Sequence, residues 1–545
     1  MSVGPIRRFS TAALSAALAP VVLSAIARCG QQTPVLKVTT RLIQVHVTAR
    51  DSHGQPVADL ERGDFTLLDE GRPQPITFFA AERAQTPDST TLPPLPPNTF
   101  SNRLEKLAGA TSVTAILFDG LNTPMTDQAY ARRQIVRFLE ELPPNQKVAL
   151  YALGRGLVVL QDFTSDSHAL IEALKTYQGE LSPEKETAVD RAAPPEVVRF
   201  HGWLEELKLN LIEHYKRDRA LRTIRSLVAI ANHLERVPGR KNLIWVSGSF
   251  PVWISRDSVP LPNKPQPGPQ RFRPEVERAA RALNNANLAV YPVDARGLMA
   301  PAEYSPERSS ISRDSKLSDW SGFQTMEILA DRTGGAAFFN TNDLTRALHE
   351  ALEDSRITYV LGYAPSHDSW DGRFREIKVR VNRPGVRLRY RHGYFAQPEE
   401  PSEEWYRSAV LGAAMWSPVD ATGLGLTVRV APRSKRSWDL ELSLDPRNVS
   451  LLPGQGFWTG KLDVWLVQLG RADKLLDAVS HIADLRLNDP VFASVMRANK
   501  LVLMERLELK RRTELVRVLV RDVGSGTLGS VSIPVDRVRT GDGSD

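Results

Sequence analysis

Val113-Thr114-Ala115-Ile116-Leu117-Phe118-Asp119-Gly120-Leu121-Asn122-Thr123-Pro124 decides the fold of this chain. Val113 to Phe118 is nearly continuous in apolar residues and ends on a carboxylate. A strand with one face in water alternates apolar and polar side chains, whereas a strand buried on both faces reads as an unbroken apolar run. Moving outward, Asp127 to Leu142 reads as an amphipathic helix, and Gln146 to Leu153 and Val158 to Phe163 as strands. A helix over Ser167 to Tyr177 follows, then a second buried strand at Asn242 to Ser247. Glu275 to Ala286 is helical, and Leu288 to Val293 is a strand ending on Asp294. Helices over Phe323 to Thr333, stopped by Gly334-Gly335, and over Leu344 to Asp354 complete the pattern. Strands alternating with helices of about 10 to 15 residues predict a mostly parallel sheet with helices on both faces.

The flanks have a different texture. Leu42 to Ala49 alternates with period two, and Asp69-Glu70-Gly71 suits a hairpin turn, so 36–82 reads as an N-terminal β domain. Residues 83–110 hold Pro93, Pro94, Pro96 and Pro97 and read as a linker. The α/β domain is expected over 111–365, with a charged, helix-compatible insertion at 182–216 and a Pro-rich excursion at 252–273. Strands at Arg375 to Val381 and Val386 to Tyr390 make a β extension over 366–396, and 424–536 reads as a sandwich-like β domain.

At 545 residues the chain is too long for one core. Its 70 Lys and Arg exceed its 63 Asp and Glu by only seven, and the two signs are interleaved. That is a mildly basic surface and no nucleic-acid footprint. The single cysteine, Cys29, excludes an intramolecular disulfide and a Cys-based metal centre. Arg7-Arg8, the apolar run Ala12 to Ile26 and the small-x-small motif Ala25-Ile26-Ala27 predict a signal peptide over 1–27 and an exported, periplasmic or extracellular chain. An uncleaved anchor is the competing reading. Ile26-Ala27-Arg28-Cys29 resembles a lipobox with Arg28 where a small residue belongs, which makes a lipid anchor the lesser expectation.

Ligands of open parallel sheets gather at the carboxyl ends of the strands, where strand order reverses. Asp119, Asn122, Thr123, Ser247 and Ser249 fall at such ends. Several stretches, taken together and in order, resemble the von Willebrand factor A-related proteins abundant in Acidobacteria. They are Thr39 to Val45, Asp64-Phe65 with Asp69-Glu70-Gly71, Phe118-Asp119 with Leu121-Asn122-Thr123-Pro124, Pro238 to Trp245, Tyr291 to Leu298, Thr333-Gly334-Gly335 and Tyr359 to Tyr363. The resemblance implies fold class α/β: a Rossmann-like, doubly wound von Willebrand factor A domain flanked by N-terminal and C-terminal β-rich domains. It also implies a metal-ion-dependent adhesion site, in which an Asp-x-Ser-x-Ser turn, a Thr and a further Asp hold Mg²⁺ that receives a partner's carboxylate. Asp119 and Thr123 match metal positions. Leu121 and Gly248 replace expected ligands, and Thr223 is the one candidate for the Thr loop. The implied site is degenerate and its Mg²⁺ binding weak; Asn122, Ser247 and Ser249 would complete the ligand surface.

No Gly-x-Ser-x-Gly, His-Glu-x-x-His or phosphate-binding loop occurs, and Gly154-Arg155-Gly156 lacks the third glycine of a dinucleotide site. The expected function is therefore non-enzymatic binding of a protein partner, as an adhesion or scaffold protein with envelope association. The alternative is a secreted hydrolase or metal-dependent enzyme built from His and Asp residues that converge only in space.

Overall fold

The computed structural model describes residues 42–83, 94–104, 107, 112–144, 146–177, 198–237, 239–248, 250, 273–296, 324–341, 344–354, 356–367, 369–396, 404–454 and 456–539. The expected signal peptide with Cys29, the first half of the insertion, the Pro-rich excursion and Ser249 lie outside them. Among the described residues no helix is long and apolar enough to cross a membrane.

The centre is a mixed α/β unit. Its five strands run in the order Leu288–Asp294, Arg240–Ser247, Ser112–Asp119, Val148–Leu153, Leu157–Thr164. The first four are parallel and the last is antiparallel to its neighbour. Alternate side chains of Ser112–Asp119 enter two different cores, which is why the run has no polar face. Val113, Ala115 and Leu117 pack with Leu227 and Ala231 of the long helix Val198–Leu234 and with Ala279 and Leu283 of the helix Arg273–Asn285. Ile116 and Phe118 pack with Ile135 and Phe138 of the helix Met125–Glu140, Leu170 of the helix Ser167–Thr176, and Leu348 of the helix Leu344–Glu353. From the first strand the chain steps to one side of the sheet and later to the other, so strand order reverses beside Asp119.

The flanking β structure is organised differently from the sequence expectation. Ile43–Arg50 lies between Ile357–Tyr363 and Arg387–Tyr390, and Phe65–Asp69 pairs with Phe374–Val381. Both sheets, each four-stranded, draw on segments before and after the α/β unit. Neither 36–82 nor 366–396 stands alone, and Ile357–Tyr363 belongs to this β unit and not to the end of a domain over 111–365. Period two marks a half-buried strand but carries no information about a partner some 300 residues away. The linker also contributes: Thr99–Ser101 pairs with the strand Leu426–Ser434.

The C-terminal part is a sandwich. One sheet runs Leu501–Glu508, Ser437–Leu444, Leu426–Ser434, Thr99–Ser101; the other runs Leu452–Pro453, Phe457–Gly470, Leu515–Asp522, Leu528–Pro534, with Lys474–Asn488 paired to Phe457–Gly470. Val428, Leu440 and Leu442 of the first meet Val464, Leu466 and Val518 of the second in one core. The helix Glu404–Met415 covers the outer face through Leu411 and Met415, against Val467 and Leu519.

His46 couples this fold to pH. Burial, with Arg391, Arg240 and Lys241 nearby, lowers its pKa to about 3. The unfolded chain takes up this proton at about pH 6.5. Stability that depends on a neutral His46 therefore falls as pH drops from about 6.5 toward 3. Between pH 7 and pH 5 the unfolding free energy should fall by about 2 kcal/mol more in the wild type than in His46→Gln. Urea titrations at the two pH values measure this, and equal slopes would refute it.

Candidate functional site

Parallel register sets the site. Phe118 pairs with Val246, and Asp294 pairs with Ser247, so Asp119, Ser247 and Asp294 form one row at the carboxyl edge of three adjacent strands. Asp119 and Ser247 have no exposed surface. A carboxylate in such a place must be met by donors, because an isolated buried charge costs far more than folding provides.

Four donors meet it. The Asn122 backbone N–H donates to Asp119 Oδ1 at 3.0 Å. Asn122 Nδ2 at 2.8 Å, Trp245 Nε1 at 3.0 Å and Ser247 Oγ at 2.9 Å all donate to Oδ2. Burial pushes the Asp119 carboxyl above its usual range, and the bonds from Asn122, Trp245 and Ser247 pull it part of the way back. Asn122 Nδ2 also donates to Thr223 Oγ1 at 2.8 Å, while Asn122 Oδ1 accepts from Arg219 Nε at 3.3 Å and Nη2 at 3.2 Å. Thr123 Oγ1 donates to the Asp119 carbonyl at 2.5 Å and accepts from the Gly248 backbone N–H at 2.9 Å. Gln128 Nε2 ties down the turn by donating to the carbonyls of Gly120 and Thr123, at 3.0 and 2.9 Å.

The expected residues Asp119, Asn122, Thr123 and Ser247 come together, and Thr223 joins them from the long helix. Ser249 lies outside the described residues. Asp294, in the same row, is engaged by Arg296 at 3.1 Å.

This donor set does not fit Mg²⁺, which demands near-octahedral oxygen ligation at about 2.0–2.1 Å. Both oxygens of Asp119 accept from N–H or O–H groups. Asn122 turns its nitrogen toward the carboxylate and its oxygen toward a guanidinium. The Thr123 hydroxyl is used between two backbone groups. At Gly248, where a second carboxylate is expected, a Cβ would lie 3.0 Å from the Asn122 carbonyl oxygen and 3.2 Å from Thr123 Cα. Two loops approach each other across that glycine, and a side chain there would push them apart by a few tenths of an ångström. The reading of Asp119 and Thr123 as metal ligands thus meets a hydrogen-bonded knot in which a loop is fastened to the sheet. Among the described residues no group of three His, Cys, Asp or Glu is placed to hold a metal ion.

Trp245, Arg219 and Gln128 were not singled out from the sequence. Two of them left a signal. Trp245 is two residues before Ser247 on one strand and shares its face, and Arg219 is one helical turn before Thr223. Gln128 left none. Separately, a cleft of about 500 Å³ lies between the long helix, the helix Arg273–Asn285 and the helix Glu404–Met415, lined in part by Arg225, Glu235, Arg278 and Trp416. It shares no lining residue with the Asp119 knot. Burial pushes the Glu235 carboxyl up to about 7, against the pull of Lys241.

No family model matches this chain, and no curated protein matches it. Among solved structures it is similar to a von Willebrand factor type A protein from Catenulispora acidiphila, at 9% identity over 85% of this chain and 76% of that one, with a TM-score of 0.24. It is also similar to three N-terminal domains of a type V pili tip protein from Porphyromonas gingivalis, at 9% identity over 85% and 77%, TM-score 0.23. A third is an aerotolerance-related membrane protein from Bacteroides fragilis, at 14% identity over 44% and 98%, TM-score 0.24. At such scores none of these likenesses carries an argument about what this chain does, and the acidobacterial affiliation finds no support among them.

The knot predicts two outcomes. Asp119→Asn keeps the shape but sets an amide N–H₂ against donors, and should cost about 1–3 kcal/mol in urea unfolding. Gly248→Asp should destabilise by a similar amount through overpacking and bring no Mg²⁺ uptake in calorimetry at millimolar metal. A stable Gly248→Asp variant that binds Mg²⁺ would overturn this account.

Proposed function

We propose that this chain is an exported, non-enzymatic binding protein of the adhesion or scaffold type, which takes a protein partner at the carboxyl edge of a von Willebrand factor A-like sheet without a metal ion. The observation that carries the reading is the guanidinium of Arg219 on Asn122 Oδ1. A metal-dependent adhesion site offers a partner's carboxylate a positive centre. Here the positive group at that edge is a side chain, fixed through Asn122 to the buried Asp119. Arginine suits the role because it stays charged and its planar fork, now on Asn122 Oδ1, can exchange that oxygen for a carboxylate in two-point geometry. The partner in this reading presents an acidic side chain; nucleic acid is not the target. Export to the periplasm or the outside, with envelope association, rests on Arg7-Arg8, the apolar run to Ile26 and Ala25-Ile26-Ala27.

Affinity capture from an envelope extract tests the binding mode. The same partner should be retained in EDTA and in Mg²⁺, and Arg219→Ala should lower its recovery about tenfold, the worth of one charge-assisted contact, with the folded circular dichroism spectrum retained. Loss of capture in EDTA would restore the metal-dependent reading, and full capture by Arg219→Ala would remove this edge as the binding surface. Export has its own measurement. The mature N-terminus should fall at or near Arg28; a cytoplasmic chain retaining Met1 refutes export, and a lipidated Cys29 replaces cleavage at Ala27 by lipoprotein processing.

A further inference from the structure

The strand Lys474–Asn488 is 15 residues long, about three times a common strand, and most of its side chains are exposed, with Ala483, Leu485 and Leu487 turned to the sandwich core. Among the described residues it pairs along one edge only, with Phe457–Gly470. A register shift opposite Gln468 and Leu469 leaves Leu476 as a bulge; from Asp477 to Asn488 the pairing is regular. Natural edge strands are shortened, bulged along their length or interrupted by proline, because an open row of N–H and C=O groups invites another strand. The stretch Asp477–Asn488 has no proline and no bulge; of the usual protections it keeps only scattered charges, at Asp477, Asp484 and Arg486.

Exposed apolar side chains occur on both faces of this strand and on its neighbour. Val479 is 50% exposed and Ile482 46%, and the nearby strand Leu501–Glu508 adds Met504 at 66%. Half of the large apolar side chains exposed among the described residues fall between Leu475 and Met504 in sequence. Charges lace the two sheet edges together: His481 meets Glu505 at 3.1 Å and Asp477 meets Lys510 at 3.2 Å.

We propose that this edge pairs with the same edge of a second copy of the chain, antiparallel and centred on Val479, to make one continuous sheet across a twofold axis. A symmetric interface requires that the strand complement itself, and this register does. Val479 lies opposite Val479, Ala478 opposite Ser480, and Asp477 opposite His481, up to the bulge at Leu476. Every pair is apolar on apolar, small on small, or acid on histidine. Across the seam the groups then run Lys510, Asp477, His481, Glu505, each beside a group it attracts. Sliding one copy by two residues in either direction sets Asp477 against Ala483 or Val479 and loses this match. Directly opposed residues in an antiparallel pair have Cβ atoms about 4.5–5.5 Å apart, close to disulfide reach.

Sedimentation of the full chain across a concentration series reads the association, and crosslinking reads the register. The chain should reach a reversible dimer at micromolar concentration. In a Cys29→Ser background, Val479→Cys should crosslink to a covalent dimer under mild oxidation, while Val502→Cys, exposed on the neighbouring strand, should not. Val479→Lys, which sets two ammonium groups together at the axis, should weaken the dimer at least tenfold with an unchanged circular dichroism spectrum. A chain that stays monomeric at 100 µM overturns the proposal. So does a dimer that Val479→Lys leaves intact, or equal crosslinking at the two cysteine positions. Capture of a foreign strand by this edge in place of a second copy would overturn it as well.

Discussion

One buried carboxylate joins the α/β unit to the β unit that surrounds it in sequence. Asp354 has no exposed side-chain surface and receives Arg50 at 2.7 Å, Arg389 at 2.8 Å and the Tyr291 hydroxyl at 2.9 Å. Arg240 donates to the same Tyr291 hydroxyl at 2.9 Å. Burial alone would raise its pKa, but the guanidinium groups of Arg389, Arg240 and Arg50 hold it below the usual carboxylate range. Two of these cations lie on β strands and the third begins a central strand, so the charge is neutral only when both units are in place. Removing a single partner would strand a charge in the interior, which costs far more than the pair contributes. The topology explains why such a junction is needed. The chain leaves the β unit at Arg83 and returns at Ile357, and those two residues are opposite each other in adjacent strands. The inserted unit leaves and re-enters on neighbouring strands, and Asp354 ties it to the β unit close to that crossing.

Asp119 poses the same problem at the opposite end of the central sheet and meets a different solution. Its donors are an amide, an indole, a hydroxyl and a backbone N–H, all uncharged. Neutral donors stabilise the charged form less than guanidinium groups do, so burial prevails and the carboxyl stays above its usual range. What this arrangement provides is geometry: the loop from Gly120 to Pro124 is pinned to the sheet, to Gly248 and to the long helix at once. A divalent ion would need those same oxygens free. The features that make the loop rigid are therefore the features that turn the site from cation binding to the side chains around it, Arg219 foremost.

How far the sequence could be read follows from these forces. Buried parallel strands have no polar face, so Val113 to Phe118 and Asn242 to Ser247 stand out without a partner in view, and their ends bring Asp119, Asn122, Thr123 and Ser247 into one candidate site. Helix Met125–Glu140 was legible from its apolar stripe. Long-range pairing was not, since Ile43–Arg50 and Ile357–Tyr363 each read only as strands. Nor was the closed state of Asp119, because a capping carboxylate and a ligating one have the same local sequence; the difference lies in Trp245 and Thr223, more than 100 residues away. Lys474–Asn488 leaves little alternation to detect, because only Ala483, Leu485 and Leu487 turn to the core and the rest of the strand mixes Val and Ile with Ala, Ser and Asp.

The long helix Val198–Leu234 ties these regions into one mechanical unit. Near its middle it carries Arg219 and Thr223 against the Asp119 knot. Fourteen residues on, or about 21 Å along a helix, His233 Nδ1 lies 2.7 Å from the Asp420 carbonyl, and the Asn232 carbonyl accepts from the Thr422 N–H at 2.9 Å. Arg236, just past its end, reaches Asp445 at 3.5 Å. The C-terminal sandwich is thus bolted to the same rod that positions the arginine at the sheet edge. A partner held at the carboxyl edge and a second copy held at the sandwich edge would therefore be set at a fixed spacing by one rigid helix and not by a flexible tether. Such spacing would let paired copies present two edges in a defined relation and would raise the effective concentration for a partner with repeated acidic sites.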